Sequence, residues 1–215
     1  VFAPLLAFWV WFSRDRRRAN AAVFILGLGV ALTPVVARNL VVSGEFHLTT
    51  SQFGPNLFIG NHEGATGTYV PLRKGRGNVA FEQEDAIQMA EAAVAGPLTP
   101  GEVSSYWTDR AVSWITRHPG DWLVVSLRKL RLAWNAVEAP DTEDLYSHAD
   151  GSMPLRICDA VLHFGVVAPL GLFGMWLTRE RWRELWILHA MAVVYLLSLL
   201  LFYVVARYRF PLSPF

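Results

Sequence analysis

The sequence predicts a mainly α membrane protein, a fragment of a polytopic helical bundle that carries a mixed, mostly helical extracytoplasmic loop domain. Three observations predict it. Apolar residues make up 53% of the chain and are gathered in blocks instead of alternating with charge. The longest block, residues 185–206, is broken only by His189 and Ser198, and at about 1.5 Å per residue it matches the roughly 30 Å hydrocarbon thickness of a bilayer. Short arginine-rich loops flank the apolar blocks, whereas the long middle segment has the composition of a water-facing domain.

Residues 1–38 read as a truncated span, a basic loop and one complete transmembrane helix. Trp9, Trp11 and Phe12 stand beside Arg14-Asp15-Arg16-Arg17-Arg18, the pattern of an aromatic belt meeting a cytoplasmic loop under the positive-inside rule. A span is expected over residues 19–37, with Pro34 near its exit, which a membrane helix tolerates. The chain begins inside an apolar segment and stops after a Pro-Leu-Ser-Pro turn, and it is expected to be a piece of a longer polytopic protein.

Residues 39–154 form the expected extracytoplasmic domain. Gly44, Gly54-Pro55, Gly60-Asn61, Gly64, Gly67 and Gly75 predict loop with short extended pieces around residues 57–59 and 68–70. A helix is expected over residues 82–95, rich in Ala and Glu. Thr99-Pro100-Gly101-Glu102 has the spacing of a capping box with Pro in the first turn, and Val103, Tyr106, Trp107, Ala111, Trp114 and Ile115 share the face that follows. His118-Pro119 ends that helix. Residues 119–135 predict a third, in which Trp122, Leu123, Leu127, Leu130 and Trp134 alternate with Arg128, Lys129 and Arg131. That mix suits an element on a membrane surface or on other spans, and equally an ordinary amphipathic helix. Residues 139–151 are acidic and are expected to be an exposed loop.

Residues 155–215 hold two further spans, 155–177 and 185–206, joined by the basic loop Thr178-Arg179-Glu180-Arg181-Trp182-Arg183. Asp159 and His163 fall at i, i+4 inside the first, an interfacial or interior pair. The two basic loops face the cytoplasm, so the 39–154 domain and residues 207–215 face the other side. The localisation expected is therefore a multi-pass plasma (inner) membrane protein.

Several chemistries are excluded or unsupported. The net charge of +1 favours no nucleic-acid partner. Cys158 is alone, which removes an intrachain disulfide and a cysteine metal cluster. The histidines at 47, 62, 118, 148, 163 and 189 are scattered, so no metal site is expected and no cofactor is indicated. Gly60 to Gly67 lacks the lysine and the strand-to-helix context of a phosphate loop. A transporter is disfavoured because few charges line the spans and no inverted repeat is present.

Arg207-Tyr208-Arg209-Phe210-Pro211 closes the last block. Pro211 disfavours helix before it, and an extended chain would put Arg207 and Arg209 on one face. Two guanidiniums side by side would suit a lipid phosphate, and the competing reading is that they anchor the helix end among headgroups.

Thr33-Pro34-Val35-Val36-Ala37-Arg38-Asn39, then Gly44-Glu45-Phe46, Asn56-Leu57-Phe58-Ile59-Gly60-Asn61 and the closing Arg207-Tyr208-Arg209-Phe210-Pro211 together resemble the C-terminal half of GT-C glycosyltransferases of the family 39-like group. Its relatives include protein O-mannosyltransferases and the aminoarabinose transferases of lipid A. The resemblance implies transfer of a sugar from a polyprenyl-phosphate donor to a lipid, glycan or protein acceptor on the extracytoplasmic face, among membrane lipids. It places the acidic residue that acts as catalytic base in an N-terminal outer loop outside this sequence, so Asp141, Glu143 and Asp144 receive no catalytic role. In that setting Arg207 and Arg209 are expected to hold the phosphate, with Tyr208 beside them and Arg38 as a further cation. Asn39, Asn56, Asn61 and His62 would hydrogen-bond a sugar or brace the loop. The alternative is a non-enzymatic membrane protein whose middle domain binds a partner or a polysaccharide.

Overall fold

The computed structural model describes residues 2–12, 17–48, 50–137 and 151–212. Among these residues all regular structure is helical. Two compact units form, one from Val1–Phe58 with Pro71–Ser113 and the other from Ile59–Val70 with Trp114–Phe215.

In the first unit, α1 (Ala3–Phe12) is followed by α2 (Arg17–Ser43). The long helix does not stop near Ala37 as expected but continues to Ser43 with Pro34 inside it. The Thr33 hydroxyl donates to the Gly29 carbonyl at 2.8 Å, an extra tie where proline lacks its N–H. Val23, Leu26 and Val30 are each about two-thirds exposed. An apolar helix that turns such side chains outward is suited to lipid, and Arg18–Ser43 is long and apolar enough to cross a membrane.

Helix α3 (Phe53–Gly60) stands where extended chain was expected around residues 57–59. Pro55 falls in its first turn, where a missing N–H leaves no bond unmade, and Gly54 brings the backbone against α5. A Cβ on Gly54 would lie 1.8 Å from the Ser104 carbonyl oxygen. Helices α4 (Val79–Val94) and α5 (Pro100–Arg117) supply the core of this unit. Ala86 and Ala90 pack against Val103 and Trp107, and the buried Trp107 indole donates to the Ala86 carbonyl at 3.0 Å. Asp85, also buried, is held by Arg76 at 3.0 Å and Arg73 at 3.2 Å, which ties the 71–77 loop to α4.

The expected capping box opens α5. Glu102 accepts from the Thr99 N–H at 2.8 Å and Thr99 Oγ1 accepts from the Glu102 N–H at 3.4 Å. Glu45 adds a second carboxylate at the positive helix end by accepting from the Gly101 N–H at 2.8 Å. The Thr99 side chain, that N–H and His47 hold Glu45 below its ordinary carboxylate value.

The second unit contains α6 (Pro119–Ala133), α7 (Met153–Leu162), α8 (Phe164–Leu177), α9 (Trp182–Leu201) and the single turn α10 (Ala206–Arg209). Two expectations fail here. The span predicted over 155–177 is broken at His163, whose ψ of 157° is extended. Its ring accepts from the Gly165 N–H at 3.1 Å and so starts α8 instead of continuing α7. Both pieces are too short to cross a bilayer alone. The last span also ends early. Helix α9 stops at Leu201, and Tyr203, Val204 and Val205 leave it to become buried protein core. Val204 donates to the Gly67 carbonyl at 2.9 Å, and a Cβ on Gly60 would lie 1.9 Å from the Phe202 carbonyl oxygen. The segment Arg179–Leu201 remains long and apolar enough to cross a membrane.

Residues 13–16 of the first basic loop, the acidic stretch 138–150 with Asp141, Glu143 and Asp144, and the side chain of Asp159 lie outside the described residues.

Candidate functional site

An α-helix leaves its last carbonyls without intrahelical partners and carries partial negative charge there. At the end of α9 those carbonyls meet a buried polar cluster. Lys129 Nζ donates to the Leu200 carbonyl at 2.9 Å and to Asn61 Oδ1 at 3.0 Å. Asn61 Nδ2 donates to the Leu201 carbonyl at 2.7 Å, and Asn61 Oδ1 also accepts from the Trp122 indole at 3.2 Å. Lys129 is wholly buried and Asn61 nearly so. Burial lowers the Lys129 amine from 10.5 to about 8.

Asn61 was a candidate from sequence; Lys129 and Trp122 were not. By sequence Lys129 groups with Arg128 and Arg131 as a polar residue of α6. Its register carried the missed signal, since Val125, Lys129 and Ala133 follow one another at i, i+4 and i+8 and all three are buried.

The expected side-by-side arginines diverge. Ala206–Arg209 forms a helical turn, in which residues two apart point in opposite directions. Arg207 is exposed, with its guanidinium 5.3 Å from the Tyr208 ring. Arg209 is buried, donates to the carbonyls of Asn135 at 2.6 Å and Leu132 at 3.0 Å, and lies 4.7 Å from the Phe164 ring centroid. Arg209 therefore closes the end of α6 as Lys129 closes the end of α9. Tyr208 holds its turn through its own carbonyl, which accepts from the Tyr195 hydroxyl at 2.9 Å.

The other sequence candidates are placed as follows. Arg38 is exposed on α2. Asn39 donates to the His47 carbonyl at 3.0 Å, and Asn56 to the Gln52 carbonyl at 2.9 Å. Both brace local backbone, as Asn61 does over a longer sequence distance. His62 is half-buried just past α3, where its carbonyl accepts from the Ala65 N–H at 3.1 Å. The structure thus groups Asn61 with Lys129 and Trp122, and Arg207, Tyr208 and Arg209 in one turn, while Arg38, Asn39 and Asn56 belong to the first unit.

Between α8 and α9 lies a cavity of about 180 Å³ with an almost wholly apolar lining that includes Trp134, Phe164, Val167, Leu172 and Leu196. Phe164 connects it to the arginine turn, since the same ring lies under Arg209. Chemically the arrangement offers an apolar slot with the Arg209 guanidinium over the aromatic ring at one end. Among the described residues no three His, Cys, Asp or Glu side chains gather as a metal site would require.

Comparison of the chain with protein-family models, curated proteins and solved structures finds no match.

Proposed function

We propose that this chain is the C-terminal part of an integral membrane glycosyltransferase that takes a sugar from a polyprenyl-phosphate donor and passes it to an acceptor on the extracytoplasmic face. The observation that carries the reading is the apolar cavity between α8 and α9, whose aromatic end at Phe164 adjoins the turn bearing Arg207 and Arg209. An isoprenoid tail would occupy the slot, and the phosphate would meet Arg207. Arg209 acts in this reading as a positioning residue, because its guanidinium is already engaged by two carbonyls.

The membrane frame follows from charge. Helix α2 starts at an arginine-rich loop and α9 follows Arg179 and Arg181, so each N-terminus is cytoplasmic under the positive-inside rule and residues 39–154 lie outside in a multi-pass plasma membrane protein. An inverting displacement also needs a base for the acceptor hydroxyl and charge stabilisation for the departing phosphate. Arg207 supplies part of the second requirement; the base is assigned to no residue of this chain.

A photoactivatable polyprenyl phosphate incubated with the intact protein in membranes is expected to label α8 or α9, in competition with unmodified polyprenyl phosphate. Ala168→Trp, which fills the slot, is expected to abolish that labelling. Labelling that is absent, or unaffected by the tryptophan, would refute the reading. The rival reading, a membrane protein with a partner-binding outer domain, draws on the commitment of both buried cations to helix ends. It predicts no lipid-phosphate competition.

A further inference from the structure

Within the second unit, helix α6 and its C-terminal cap meet two helix termini. Lys129 bonds the Leu200 carbonyl at the end of α9, and five residues later the Trp134 ring lies 6.3 Å from Phe164 at the start of α8. A helix packed against the last carbonyls of a membrane-crossing α9 lies where that helix meets the bilayer surface. The outward side of α6 has the composition to match. Leu123 is 55% exposed, Leu127 52% and Trp134 42%, and at about 100° per residue these three fall within a sector of roughly 40°. Arg131, exposed, flanks that sector about 40° beyond its edge, and Arg128 lies farther round, where it donates to the Ala65 carbonyl at 3.5 Å, while Val125, Lys129 and Ala133 face inward. Asp121 lies farther round the helix, away from the apolar sector.

We propose that α6 is an in-plane membrane-surface helix, with Leu123, Leu127 and Trp134 at the headgroup–acyl boundary and Arg131 on lipid phosphate. The proposal rests on the membrane reading of α9 given above. Its occupant is the lipid surface: the exposed stripe is apolar along its centre and cationic along one edge, the pattern that an anionic bilayer complements. A soluble acidic partner would meet charge but leave the leucines uncovered. The helix would hold the arginine turn at headgroup depth, because Arg209 bonds the end of α6.

The test places a nitroxide at Leu127→Cys or at Asp121→Cys in the intact protein, on a Cys158→Ser background, in bilayers of phosphatidylethanolamine and phosphatidylglycerol. The expected result is a several-fold higher ratio of oxygen to nickel-chelate accessibility at position 127 than at position 121. Arg131→Gln is expected to reduce that ratio in bilayers containing phosphatidylglycerol and to leave it unchanged in purely zwitterionic ones. Equal, water-like accessibility at both positions in an inserted protein would overturn the proposal while leaving the membrane reading intact. A label at 127 shielded from both reagents would also overturn it, in favour of a protein partner or a second copy. Release of the chain from membranes by alkaline carbonate would overturn the membrane reading, and the proposal with it.

Discussion

Asn61 Oδ1 accepts from Lys129 Nζ at 3.0 Å, and each residue also bonds one of the last two carbonyls of α9. One amide and one amine thus complete a helix end that water would otherwise satisfy. A reciprocal clamp operates at α6, whose own end is closed by Arg209. Each cation bonds carbonyl oxygens, so removing either leaves buried acceptors without donors.

Asn61→Ala strips partners from Lys129, Trp122 and the Leu201 carbonyl together, and is expected to cost about 3 kcal/mol. Lys129→Met replaces a buried charge by an apolar chain of similar length and is expected to cost less, because desolvation of the ammonium is relieved. The double variant should fall short of the sum by about 1 kcal/mol or more. Denaturant unfolding of the four proteins in detergent measures the coupling, and strict additivity would argue against a shared cluster.

The same amine makes stability depend on pH. Its folded value is about 8 against an ordinary 10.5, so between those values the unfolded chain binds more protons and stability rises with pH. Below about 8 both states are charged and the penalty, roughly 3 kcal/mol, is fully present; above 10.5 both are neutral and it is gone. The stability difference between the native chain and Lys129→Met should shift in favour of the native chain across this window. It should be flat below pH 7. A difference that does not change up to pH 10.5 would contradict the assignment.

The two arginines of the terminal turn should separate by assay. Arg209→Ala leaves the Leu132 and Asn135 carbonyls without their guanidinium and is expected to lower stability by about 3 kcal/mol. Arg207→Ala, at an exposed site, should stay within about 0.5 kcal/mol of the native value. In the intact protein it should nevertheless lower transfer from a lipid-linked donor by on the order of 100-fold, as loss of a charge-stabilising donor does. Unaltered transfer in a folded Arg207→Ala protein would remove this residue from the phosphate site.

Gly60 tests the threading of residues 202–205. A Cβ there would collide with the Phe202 carbonyl oxygen, a backbone atom that cannot swing aside. Gly60→Ala is expected to cost more than about 3 kcal/mol or to prevent folding, since overpacking against backbone exceeds ordinary core strain. Gly64→Ala is the control: no heavy atom lies within 4 Å of its Cβ position, so only its φ of 81° opposes the change, at about 1 kcal/mol. Thermal unfolding of both variants gives the comparison.

Local signals in the sequence proved reliable where the interaction itself was local. The Thr99–Glu102 box, the stop at His118-Pro119, the Val103, Trp107 and Ala111 face and the continuation of helix through Pro34 all depend on residues within a few positions of one another. The apolar run 185–206 was legible as long and apolar, but hydropathy does not distinguish lipid from protein interior. Tyr203, Val204 and Val205 look like membrane helix by composition and are buried core in the fold. His163 was similarly hidden, because only the bond from Gly165 makes it a helix start.

By itself the sequence determined the mainly helical class, the apolar blocks and their arginine flanks, and the presence of Asn61 and Arg209 among the residues worth watching. Tertiary structure alone decided what those polar groups do. Lys129 and Arg209 became caps because two helix ends, distant in sequence, expose carbonyls where nearby side chains can reach them. That demand comes from backbone geometry rather than residue type, so composition and periodicity carry no trace of the partner on which each cation settles.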